Sequence, residues 1–190
     1  QGKYAEAEPL YRRATEIWEK ALGPDHPTVA TVLNNRAGLL EDQGKYNEAE
    51  PLYERSLAIR EKALGPDHPD VAASLNNRAG LLKRQGKFAD AEPLYRRATE
   101  IWEIALGPEH PNVATALNNR AGLLEDQGKH NEALALLERA SSIRRKKLGE
   151  NHHATIDTQI SLERVQKHIR EQETNTGPRG TKHPEEAWYS

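Results

Sequence analysis

Cysteine and methionine are both absent from the 190 residues. The first absence excludes disulfide scaffolds, thiolate metal sites and cysteine nucleophiles together. Long apolar runs are lacking as well: none approaches the length of a membrane-spanning helix, and no signal-peptide pattern opens the chain. No membrane partner is therefore expected, and a cytoplasmic setting is the default. Neither sign of charge dominates, with 27 Lys and Arg against 29 Asp and Glu and a formal net charge of −2. With no basic stripe, nucleic acid is not an expected partner. No glycine-rich phosphate loop or nucleophile elbow appears.

What is present is repetition. LGPDHP at 22–27 returns at 64–69, as LGPEHP at 106–111, and in decayed form as LGENHH at 148–153. QGKYAEAEPLY at 1–11 recurs at 43–53, 85–95 and 127–137 in the same register of 42 residues. The chain has no initiator methionine and opens inside a motif that is complete further on, which reads as a piece of a longer array.

Each copy spells two helices. Pro27 opens the first, helix A, and Val29, Leu33, Ala37 and Leu40 follow at helical spacing until Gly44 stops it. Tyr46, Ala49, Leu52, Tyr53, Ser56, Ile59 and Ala63 trace the second, helix B, which ends at Gly65-Pro66. Pro51 falls early in helix B, where it costs one backbone hydrogen bond. Neither helix can bury its stripe alone, so the pairs must stack. The expected fold is all-α, a right-handed α-solenoid of antiparallel helix pairs over residues 1–172. It comprises a lone helix B at 1–21, repeats at 22–63, 64–105 and 106–147, and a last helix at about 154–172 with Ile156, Ile160 and Leu162 apolar. Residues 173–190 are polar and Gly/Pro-containing, and are expected to be a flexible tail.

The residues Leu33, Ala37, Leu40, Ala49 and Tyr53 match the tetratricopeptide signature, as do Leu75, Ala79, Leu82, Ala91 and Tyr95 and then Leu117, Ala121, Leu124 and Ala133. The 42-residue period, with its lengthened helix B and LGPDHP connector, resembles the repeats of kinesin light chains. Similar repeats accompany nucleotide-binding domains of the NB-ARC type. The resemblance implies a concave face built from helix A that binds extended peptide segments. It also implies that the asparagine pairs Asn34-Asn35, Asn76-Asn77 and Asn118-Asn119 grip a peptide backbone. On a helical wheel with Leu33 toward the core, Thr31, Asn34, Gly38 and Glu41 share the opposite flank, so the residues mark the same face independently. An amide both donates and accepts, which suits backbone of any sequence, although the asparagines can equally bond one another.

The copies differ at one rim, where Glu41-Asp42 and Glu125-Asp126 bracket Lys83-Arg84. A groove of alternating sign favours a partner of complementary pattern, while solvated helix ends tolerate any charge. Glu41, Lys83, Arg84 and Glu125 join the asparagines as candidate peptide-binding residues. No cofactor or metal is expected: His26, His68 and His110 recur once per repeat, about 10 Å apart, and serve the turn before a proline. His152-His153 lacks a partner at ligand spacing. The expected function is a non-catalytic scaffold that binds a protein or extended peptide, as a cargo-adaptor or sensor region of a larger protein. A helical-repeat RNA binder and a regulatory region of a larger enzyme are the alternatives, and nothing bears on oligomeric state.

Two oddities remain. Trp18, Arg60, Trp102 and Arg144 share one register of helix B, where guanidinium and indole either stack or cover surface. LNNRAGLL, at 33–40, 75–82 and 117–124, puts Arg36, Arg78 and Arg120 inside the apolar arc, where the signature has leucine. A guanidinium cannot be buried without partners. Each is expected to thread between helices and meet the acid recurring beside the helix-B stripe (Glu6, Glu48, Asp90, Glu132) or helix-end carbonyls.

Overall fold

A computed structural model of the chain describes residues 4–176. Eight helices follow one another: α1 (Tyr4–Leu22), α2 (Pro27–Asp42), α3 (Tyr46–Leu64), α4 (Pro69–Arg84), α5 (Phe88–Leu106), α6 (Pro111–Asp126), α7 (His130–Leu148) and α8 (His153–Thr176). No strand occurs among the described residues. Each helix packs on its chain neighbours, and α2, α4 and α6 also touch in series. The even-numbered A helices and the odd-numbered B helices thus form the two layers of an α-solenoid.

The helix ends explain why every copy reads alike. His26, His68 and His110 are N-caps in extended conformation, and their Nδ1 atoms accept from the backbone N–H groups of Thr28, Asp70 and Asn112 at 3.1–3.2 Å. His152 does the same for Ala154. The histidine thus satisfies one of the orphan donors at the helix start, and the proline after it has no donor to orphan. At the other end Gly44 takes φ +73°, its N–H meets the Glu41 carbonyl at 2.9 Å, and the Lys45 N–H meets the Leu40 carbonyl at 2.9 Å. This is a Schellman stop, which needs a residue free to enter the left-handed region.

The core lies between the layers. Val71, Ala72, Leu75, Ile101, Trp102, Val113 and Leu117 belong to one buried cluster that runs through the middle of the array. Gly38 and Gly80 face the hydroxyls of Tyr53 and Tyr95, which a Cβ there would meet in ordinary contact at 3.5 and 3.6 Å. Pro51 is exposed within α3, so the acceptor it leaves free faces water.

The two ends depart from the pattern. Ile17 of α1 is 53% exposed, whereas Ile59, Ile101 and Ile143 in the same register are 4–5% exposed; among the described residues, only those three have an A helix of their own repeat to pack on. In α8, Ile156 and Ile160 are exposed, and the helix buries Thr155, Thr158, Leu162 and Val165. The helix packs on α7, and Leu162 and Val165 also share a cluster with Ala121 and Leu124 of α6. Residues 173–176, expected in the tail, continue α8, and 177–190 lie outside the described residues.

The histidine caps are testable singly. His68→Ala should cost about 1 kcal/mol in urea unfolding, the usual value of a lost N-cap, while His68→Asn should recover most of it. Equal loss in both variants would contradict the capping role.

Candidate functional site

The A helices line a groove that three connected pockets follow along the array. One of about 480 Å³ is lined by Tyr11, Asn34, Asn35, Glu41 and Arg84 among others. The next, of about 350 Å³, is lined by Asn76, Asn77, Lys83, Tyr95, Asn119 and Asp126. The third, of about 170 Å³, is bounded by Asn118, Asn119, Glu125, Ser161 and Arg164. All ten candidate residues from the sequence therefore line this one groove.

The asparagines bond one another across repeats. Asn77 Nδ2 donates to Asn34 Oδ1 at 3.0 Å and Asn119 Nδ2 donates to Asn76 Oδ1 at 3.1 Å, while Asn118 Oδ1 lies 3.3 Å from the Thr158 hydroxyl, whose proton has the Ala154 carbonyl nearer at 2.9 Å. The ladder consumes half of each amide. Asn34, Asn76 and Asn118 keep both N–H donors, and Asn77 and Asn119 keep their acceptor oxygens. Asn76 is buried in the floor, and Asn35 is exposed.

The rim charges also pair from repeat to repeat. Arg84 Nε meets Glu41 at 2.9 Å, Lys83 meets Asp126 at 3.3 Å, and Arg164 of α8 grips Glu125 with two nitrogens at 2.6 and 2.9 Å. Alternation of sign lets successive helix ends attract, where identical ends would repel. Burial pushes the Glu41 carboxyl above its ordinary range, against the Tyr53 hydroxyl that donates to it at 2.8 Å and the nearby Arg84. The hydrogen bond from Arg164 holds Glu125 below that range. Lys83 Nζ would lie 2.9 Å from a Cβ at Gly122, over the glycine that Tyr53 and Tyr95 cover in the earlier repeats. Leu137 replaces the tyrosine there, which leaves the space open.

Arg36, Arg78 and Arg120 lie outside the groove lining and do thread between helices, but the acids they meet differ from those expected. Arg36 pairs with Glu8 at 2.9 Å, Arg120 with Glu92 at 2.9 Å, and Arg78 with Glu54 at 2.5 Å. Glu6, Glu48, Asp90 and Glu132 are exposed instead. The acid two residues along the B helix faces the gap between layers, and the one in the wheel position faces water. Arg78 breaks step because Arg12 and Arg96 hold the register that Glu54 occupies, and Glu50 is taken by Gln85 and Lys87. All three Nε atoms are buried without a hydrogen-bond partner, so the stems are committed to the interior.

The Trp/Arg register is a third ladder, and among the described residues it shows no stacking. Arg60 Nη1 donates to the Asp70 carbonyl and the Ser74 hydroxyl at 3.0 and 2.8 Å, and Nη2 reaches the Thr31 hydroxyl at 3.3 Å. Arg144 likewise donates to the Ala154 carbonyl and to the hydroxyls of Thr158 and Thr115. Trp102 sends one bond to the Pro69 carbonyl, and alanines, Ala73 and Ala116, stand where its neighbours carry hydroxyls. Arginine comes with hydroxyls on both adjacent A helices, tryptophan with methyls. Arg60, Trp102 and Arg144 are buried, not a surface covering.

Sequence reasoning missed Tyr53, Tyr95 and Arg164 as groove residues. The tyrosines read as core because their rings are buried; the helical glycine in the same repeat is the signal that the hydroxyls pass across helix A.

Comparison with known proteins gives a consistent result. The profile described as tetratricopeptide repeat matches residues 1–62, 28–104, 70–146 and 112–173. No curated protein matches. A Podosopora anserina protein titled as a kinesin light chain with nearly identical TPR-like repeats superposes with a TM-score of 0.74 at 26% identity, over 91% of this chain and 82% of that one. A single-substitution form of the same protein gives 0.75 over the same shares. BtubC (BKLC) from P. vanneervenii superposes at 0.76 with 23% identity, over 100% of this chain and 81% of that one, a likeness of fold.

The interlayer arginines yield a stability test. Arg120 and Glu92 are both about a quarter exposed. Arg120→Ala should therefore destabilise by about 1–2 kcal/mol, less than a fully buried pair, and Arg120→Leu by less than that. Chemical denaturation that finds Leu worse than Ala would contradict the interlayer account.

Proposed function

Because the chain belongs to the tetratricopeptide-repeat family, we propose that it is a non-catalytic scaffold, working inside the cell, whose concave groove binds an extended segment of a partner protein. The observation that carries this reading is the half-used asparagine ladder. Donors on Asn34, Asn76 and Asn118 and acceptors on Asn77 and Asn119 line one continuous groove, contributed by α2, α4 and α6 in turn. Packed helices lie about 10 Å apart. That is the length of about three extended residues at roughly 3.3 Å each, so a strand-like segment meets one amide set every third residue. Backbone is what such amides suit, because both its N–H and its C=O are obligatory hydrogen-bonding groups.

Glu41, Lys83, Arg84 and Glu125 take a different part in this proposal. Each already has an ion-pair partner. They set the edges of the groove, and a ligand's side chains gain by exchanging these contacts rather than by neutralising a free charge. The affinity then resides in the ladder and the sequence preference at the rim.

The test is a selection from a displayed library of random peptides, followed by binding of the enriched peptides to a variant carrying Asn34→Ala, Asn76→Ala and Asn118→Ala. A loss of about tenfold or more is expected, with helix content retained, since each amide contributes one net hydrogen bond of about 1 kcal/mol. Peptides that bind the folded variant unchanged would place the interaction outside the groove.

A further inference from the structure

Two histidines of the last helix pair form a cluster that the groove does not use. His26, His68, His110 and His152 cap A helices through Nδ1. His130, the first residue of α7, and His168 of α8 cap nothing, and their rings meet across the contact of the two helices with centroids 5.1 Å apart. Both Nδ1 atoms are buried without a hydrogen-bond partner, and no ring nitrogen of either residue makes a hydrogen bond among the described residues. Buried nitrogens left unpaired in this way call for an explanation.

The pair is a joint departure from the repeat. Tyr4, Tyr46 and Phe88 begin the earlier B helices, while Asp42, Arg84 and Asp126 hold the A-helix register of His168. Tyr46 and Phe88 pack against clusters that include Leu81 and Leu123 of the following A helix. A ring in that place needs only to pack. Two histidines pack there as well, and they add nitrogen lone pairs that tyrosine, phenylalanine and aspartate do not bring. No sequence spacing joins residues 130 and 168; the packing of α8 on α7 does.

The geometry suits one ion. Nitrogen–zinc bonds of about 2.0–2.1 Å at a tetrahedral angle set the centres of two bound imidazoles about 5 Å apart. The observed separation is 5.1 Å. Since no ring nitrogen is tied to the protein, either ring can turn about its Cβ–Cγ bond and present a nitrogen without breaking a hydrogen bond. The Glu125 carboxyl, held low chiefly by the hydrogen bond from Arg164, is lowered further by His168 and His130, so a carboxylate stands within electrostatic reach of both rings. We propose that His130 and His168 bind a zinc ion that joins α7 to α8. Water completes its shell, because the described residues hold no group of three His, Cys, Asp or Glu that could bind a metal. His152 and His153, with ring centroids 4.3 Å apart, form the competing pair, but they are chain neighbours and His152 Nδ1 is committed to the Ala154 N–H. The site lies between α7 and α8 and does not depend on peptide binding along the groove.

The measurement is a zinc chloride titration of the whole chain, followed by calorimetry and by the ring-nitrogen NMR signals of the histidines. Zinc should shift the ring signals of His130 and His168 and raise the unfolding midpoint, since the ion binds the folded chain. Magnesium, which prefers oxygen ligands, should do neither. His130→Tyr, which restores the residue that Tyr46 provides in this register, and His168→Gln should each weaken binding at least about tenfold through loss of one of two protein ligands, with helix content retained. His153→Gln should leave binding unchanged. Zinc that binds His130→Tyr or His168→Gln as tightly as the unaltered chain, ring shifts confined to His152 and His153, or no binding at millimolar zinc would each overturn the proposal.

Discussion

In a solenoid every side chain faces, one repeat along, its own copy. Apolar residues profit, since leucine packs well on leucine, but a repeated charge meets the same charge and a repeated donor meets a donor. The rest of this structure consists of ways around that constraint. At the groove rim the sign alternates, so that Glu41 meets Arg84 and Lys83 meets Asp126. On the B helices the chain offsets the partners instead. Arg55, Arg97 and Arg139 each reach the glutamate of the preceding B helix, Glu19, Glu61 and Glu103, at 2.6–2.7 Å. Their guanidinium groups also donate to the Pro24, Pro66 and Pro108 carbonyls of the connectors. Amides escape the problem because asparagine both donates and accepts, and two adjacent asparagines give each neighbour one of each.

The consequence is an array whose true period is two repeats. Arg60 needs hydroxyls from Thr31 and Ser74, and Arg144 needs them from Thr115 and Thr158. Trp102 between them needs alanines and a single carbonyl. A buried guanidinium without those acceptors is costly, so the three positions change together. Burial lowers the affinity of Arg60 and Arg144 for the proton, as their desolvation requires, yet each keeps three acceptors. The sequence difference between even and odd repeats is thus a difference of interior chemistry carried through three helices at a time.

Much of this is legible in the residues. Apolar spacing, proline starts and glycine stops set the helices; of the flank opposite Leu33, Asn34, Gly38 and Glu41 line a pocket along the A helices, while the Thr31 hydroxyl accepts from Arg60. The recurring acids Glu6, Glu48, Asp90 and Glu132 are not the partners of the arginines, and Glu8 meets Arg36 instead, because the pattern of one helix says nothing of how far its neighbour is shifted along the axis. The rim charges read toward a ligand, and they pair internally, since wheel positions near a helix end do not reveal which end of the next helix lies beside them.

The account rests on neighbours of opposite sign, and making the repeats alike at the rim tests it. A chain carrying Lys83→Glu and Arg84→Asp, so that three Glu-Asp ends stand in series, should lose about 1–2 kcal/mol of unfolding free energy at low ionic strength. Most of that loss should disappear near 1 M salt, where the screening length falls to about 3 Å. An unchanged unfolding free energy at low salt, or a loss that salt does not reduce, would contradict it.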